Sequence, residues 1–148
     1  MERVSAVNLP ALPRPAPSPP RELRFVISCE PVPAQMGAVL ANGRVARKGM
    51  ERQRAYKHHV SLLAMLAVNR AGWRSGPEER YSMTARFFMG NARTIDLDNC
   101  CKLLLDGIKG VAFPDDRQVY ECHLFKAIDR EKPRTEVEIA RMSEWPTT

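Results

Sequence analysis

Hydrophobic positions change their period several times along the chain, and each change marks an element. Over residues 22–30 the side chains alternate, with Leu23, Phe25, Ile27 and Cys29 on one side and Arg24, Val26 and Ser28 on the other. Such alternation predicts a strand buried on one face. Pro31-Val32-Pro33 ends it, because proline cannot continue a central strand. Over residues 50–70 the apolar spacing lengthens to three and four. Tyr56, Val60, Leu63, Ala64 and Ala67 form a stripe that Leu62, Met65 and Leu66 widen, which predicts a helix with apolar surface for a core and a subunit contact. Ala71-Gly72 stops it, and residues 73–79 read as a loop. Residues 81–89 alternate again, with Tyr81, Met83, Ala85, Phe87 and Met89 on the inner face.

A second helix is predicted from about Asn99. Leu97, Cys101, Leu104, Leu105 and Ile108 recur at helical spacing, and Lys102, Asp106 and Lys109 fall on the opposite side. Asp98 or Asn99 is placed to cap its first turn, and Gly110 suits the left-handed position beyond its end. Two strands follow, at 118–126 and 135–142, joined by a polar stretch containing Pro133 and expected to pair as an antiparallel hairpin. The order strand, helix, strand, helix, strand, strand predicts an α+β fold, a small mixed sheet of about four strands packed with two helices.

Composition refines this picture at the ends and on the surface. Half of the 12 prolines lie in residues 1–20, which read as a flexible Pro-rich arm. Residues 21–142 form the one domain that 148 residues allow, and 143–148 a C-terminal tail. A net charge of +6, with several acids gathered in one segment, leaves the remaining surface strongly basic and favours a polyanionic partner. The four cysteines, Cys29, Cys100, Cys101 and Cys122, lack zinc-type spacing and read as reduced thiols. No secretory signal or membrane-length apolar run is seen, so a soluble, cytoplasmic protein with no membrane contact is expected.

The chemistry concentrates where the second inner strand hands over to the second helix. Asp96 and Asp98 are two apart, so on an extended backbone both carboxylates project to one side and can close on a hard cation. A helix N-terminus favours negative charge there. Asp115-Asp116, after a short turn, is the natural third corner. Crowded carboxylates call for a counter-ion, and Mg2+ fits best, with Mn2+ able to substitute, because it binds few protein carboxylates and also takes substrate phosphates. A calcium loop is excluded, since Cys100 and Cys101 stand where an oxygen ligand and glycine are needed. The window 44–57 carries Arg44, Arg47, Lys48, Arg52, Arg54 and Lys57 against one acid, Glu51, and reads as a DNA-phosphate surface. His58 and His59, with no third ligand at compatible spacing, read as structural.

The order Asp-x-Asp-Asn-x-x-Lys, then an apolar helix with Leu-Asp-Gly, then Asp-Asp-x-Gln-Val, running from Asp96 to Val119, resembles the RusA family of Holliday junction resolvases. The resemblance implies that Asp96, Asp98 and Asp116 are the metal-binding, catalytic acids and Lys102 the essential base of the site. It also implies a Mg2+-dependent homodimer that nicks four-way DNA junctions symmetrically in recombination and repair. A nuclease for flaps or other branched DNA, and a non-catalytic DNA-binding protein whose acids only cap a helix, are the competing readings.

Overall fold

The structure, a computed structural model, describes residues 16–35, 39–44, 47–92 and 95–143, with the side chains of Arg47 and Lys48 outside that description. The first fifteen residues of the Pro-rich arm and most of the tail likewise lie outside the described residues. In chain order the elements are β1 (Glu22–Ile27), α1 (Arg47–Ala71), β2 (Tyr81–Met89), α2 (Leu97–Ile108), a one-turn 3-10 helix (Asp116–Gln118), β3 (Val119–Ile128) and β4 (Arg134–Arg141). Two helices and a four-stranded mixed sheet make this a small α+β fold, as the periodicity predicts.

Strand order is β1-β4-β2-β3. β4 runs antiparallel to both β1 and β2, and β2 pairs parallel with β3 through the α2 crossover. The expected β3–β4 hairpin therefore does not form. β4 bonds along both its edges, to β1 and to β2, and its Thr135, Val137 and Ile139 are buried. β3 is exposed or half-exposed along its whole length, with Tyr120, Phe125 and Ile128 open to solvent, and such a strand belongs at an edge.

Both helices cover one sheet face. Leu23, Phe25 and Ile27 of β1 and Tyr81, Met83, Ala85, Phe87 and Met89 of β2 point into that layer, on the faces the alternation assigns them. They meet Tyr56, Val60 and Ala64 of α1 and Cys100, Leu103, Leu104 and Ile108 of α2. The helices approach closely at Gly107, where a Cβ would fall 2.7 Å from Val60 Cγ1. Only the absence of a side chain allows that distance. Leu62, Met65 and Leu66, the widened part of the α1 stripe, are exposed.

One end of the sheet is tied by a polar network. Gln118 Nε2 donates to the carbonyls of Gly76 and Glu79, and Glu79 accepts from Tyr81 Oη at 2.6 Å and from Arg141. Trp73, read from sequence as part of a loop, is buried beside Tyr81 and donates from Nε1 to the Ala112 carbonyl at 2.7 Å. The 73–79 segment is thereby anchored against the start of β2 and β3.

Candidate active site

Helix α2 begins earlier than the apolar spacing predicts. Its N-cap is Asp96, in extended conformation, and Leu97 is already helical. Asp98 thus stands in the first turn instead of continuing a strand. The two carboxylates do not share one side of an extended backbone, and both lie around the N-terminus of α2, where unpaired N–H groups and the helix dipole favour anions. The Asp96 side chain makes no capping bond. It only approaches Asn99 Nδ2, at 3.5 Å, while Asp98 Oδ1 accepts from the Asn99 backbone N–H at 2.9 Å. Each carboxylate keeps one oxygen with no partner among the described residues, and both side chains are exposed. Lys102, one turn beyond Asp98, is exposed on the same helix.

The acidic doublet is elsewhere. β3 starts level with the start of β2, the register pairing Tyr81 with Val119, so α2 must run back along the sheet between them. Asp116, immediately before β3, is therefore about one α2 length from Asp96, roughly 18 Å for twelve residues at 1.5 Å each. Among the described residues no three of His, Cys, Asp and Glu stand close enough to share a metal ion. A single chain thus does not bring the third corner to the first two. The cause is topological, because a parallel crossover places the two ends of its helix at opposite ends of the sheet.

Within the doublet the two acids differ. Asp115 caps the 3-10 turn, accepting from the Arg117 N–H at 2.9 Å, while Gln118 Oε1 accepts from the Asp115 N–H in return. Arg117 also grips both Asp115 oxygens, at 3.0 and 3.1 Å. Those bonds hold the Asp115 carboxyl far below the usual carboxylate range and raise Arg117 in turn. Asp116 pairs with Lys109, at 3.6 Å, and also lies beside the Asp115 carboxylate.

The basic segment is linked to the α2 start. The Ala34 N–H donates to the Asn99 carbonyl at 2.9 Å, and the Gln53 side chain makes two bonds to the Gln35 backbone. This chain of bonds tethers the first half of α1, where Arg52 and Arg54 are exposed and Lys57 half-buried, to the first turn of α2. Arg44 is exposed in the preceding loop, and the side chains of Arg47 and Lys48 lie outside the described residues.

Two features escaped the sequence reading. Cys101 Sγ on α2 lies 3.6 Å from Cys122 Sγ on β3. The hydrogen bond between them draws Cys122 down to about 7, against its partial burial, and pushes Cys101 up. Lys126, near the end of β3, donates from Nζ to the Ile95 carbonyl at 3.0 Å, directly before Asp96. Neither leaves a signal in sequence, because strand pairing across the crossover creates both contacts. Among the described residues no helix is long and apolar enough to cross a membrane.

No curated protein matches the chain. A family model described as endodeoxyribonuclease RusA matches residues 29–140, which include both helices, the acidic helix start and the doublet. With most of its length matched, the chain belongs to the RusA family of endodeoxyribonucleases, hydrolases that cut DNA as Holliday junction resolvases.

Proposed function

We propose that this protein is a Mg2+-dependent endodeoxyribonuclease that resolves four-way DNA junctions by paired symmetric nicks, acting as a homodimer in recombination and repair, in the cytoplasm of a bacterial or phage-infected cell. The observation that carries the reading is the α2 start, where two carboxylates keep oxygens unused by the protein beside a tethered basic helix.

The donor set fits the cation. Asp96 and Asp98 offer hard, solvent-facing oxygens, and Mg2+ takes one or two carboxylates while leaving room for waters and substrate phosphate. When bound, such an ion supplies positive charge that polarises the scissile phosphodiester. The chain's own groups do the rest. Asp96 and Asp98 orient that charge from a rigid helix terminus. Lys102 offers an ammonium to the charge that grows on phosphate oxygens. Arg44, Arg47, Lys48, Arg52, Arg54 and Lys57 hold flanking phosphates and set the register of the DNA.

Asp116 fits as the third acid better than Asp115, whose oxygens are already committed to Arg117. It joins the site from a second subunit. Among the described residues no strand lies on the outer side of β3, whose Phe125 and Ile128 are exposed. Antiparallel pairing of two β3 strands about a two-fold axis sets the start of each beside the end of the other. Asp116 of one copy then stands near Asp96 and Asp98 of its mate. A junction has matching two-fold symmetry, so two such sites cut opposing strands.

The test is a synthetic four-way junction incubated with purified protein, with and without Mg2+ or Mn2+, beside flap and splayed-arm controls. Symmetric nicks that need the cation and vanish in Asp98→Asn support the reading. Absence of nicking, or undiminished nicking by Asp98→Asn, overturns it.

A further inference from the structure

Lys126 is the one cation that β3 delivers to the acidic end of α2. It pairs with Phe87 across the β2–β3 ladder, and its side chain lies on the helix-covered side of the sheet with those of Cys122 and Leu124. From there the ammonium reaches over the edge to the Ile95 carbonyl at 3.0 Å. No carboxylate among the described residues lies within ion-pair distance of it. An ammonium carries three donors, so two remain for another acceptor.

We propose that Lys126 is a substrate-phosphate contact of this site, a second ammonium beside the phosphodiester that Asp96, Asp98 and Lys102 serve. The inference rests on the nuclease reading above. Charge balance favours it. Asp96, Asp98 and Asp116 together exceed a divalent cation by one negative charge, and the phosphodiester, singly negative at rest, gains a second as an anionic nucleophile adds. Lys102 alone leaves two of those three negative charges uncompensated, and Lys126 removes one more. Holding the Ile95 carbonyl also points the ammonium at the segment presenting Asp96, which removes the cost of ordering a long side chain when substrate arrives.

The competing role is purely structural, in which any donor to the Ile95 carbonyl would serve. Lys126→Gln keeps a donor and removes the charge, whereas Lys126→Arg keeps both. Junction binding is measured in EDTA over a salt series, and single-turnover nicking is measured in Mg2+. For each Lys126 that contacts a phosphate, Lys126→Gln should flatten the log–log salt dependence by about 0.9. It should also slow nicking about 10-fold or more, with an unchanged melting temperature. Lys126→Arg should retain both properties. Wild-type slope and rate in Lys126→Gln would overturn the proposal, as would an equal slope change in Arg70→Gln at the far end of α1. Wild-type protein that binds junctions but never nicks would defeat the nuclease reading instead, and the salt series would still decide whether Lys126 touches phosphate.

Discussion

Asp96 with Asp98, and Asp115 with Asp116, are two acidic pairs at opposite ends of one helix, and the protein treats them differently. Asp115 is consumed by its own surroundings. It caps the 3-10 turn, both its oxygens are held by Arg117, and its carboxyl is driven well below the usual range. Asp96 caps α2 by backbone position alone, and Asp98 bonds only its neighbour's N–H. An acid whose lone pairs are spent inside the fold stabilises the fold. An acid presented at a helix terminus with an oxygen to spare is available to a ligand. Asp116 is intermediate, with one lysine at 3.6 Å and no capping duty.

The sharpest way to break this contrast is to neutralise each side in turn. Asp96→Asn or Asp98→Asn should lower junction nicking on the order of 10³-fold while leaving the melting temperature near wild type. A large loss of stability would mean that this pair is structural too. Next in size is a mixing experiment on the divided site. Asp98→Asn and Asp116→Asn should each be inactive. Co-refolded at equal amounts they should recover about a quarter of wild-type sites, because half the dimers are mixed and each mixed dimer holds one intact site when Asp116 acts across subunits. No recovery would place Asp116 within its own chain's site, and an active Asp116→Asn would place it outside catalysis.

A smaller effect tests the helix that separates the pairs. Gly107→Ala should cost about 1–3 kcal/mol in denaturant unfolding, because its Cβ would meet Val60 Cγ1 and Cβ at 2.7 and 2.9 Å. Adding Val60→Ala should return part of that loss. Smallest is Asp115→Asn, which should lower the melting temperature by a few degrees and leave nicking within a few-fold of wild type. Its pH dependence follows from the lowered carboxyl. The stability that Asp115 adds is present above the ordinary carboxylate range and is lost as pH falls toward the depressed value, so wild type and variant should converge in acid. Circular dichroism melts at neutral and acid pH would show this.

Much of the architecture can be read before any coordinates. β2 has the predicted limits and faces, α1 is three residues longer at its start and one at its end, and the inner faces of β1 and α2 follow their apolar spacing. These features are local, since period and burial are properties of consecutive residues. The sequence predicts a β3–β4 hairpin because short connections favour neighbouring strands, and only the strand pairing places β4 between β1 and β2. The start of α2 was misread by two residues, since Asp-Leu-Asp-Asn offers three side chains able to cap and the spacing cannot choose among them.

What the amino-acid order determined alone is the inventory: one basic domain, two helices and four strands, and acids gathered in a motif specific enough to name a family. What tertiary structure decided is adjacency. The parallel crossover sends Asp116 to the far end of α2, brings Lys126 to the Ile95 carbonyl, sets Cys101 against Cys122 and leaves β3 open at the edge. Sequence spacing measures distance along the chain, and a helix that reverses direction between two parallel strands separates neighbours in sequence while joining residues some thirty positions apart.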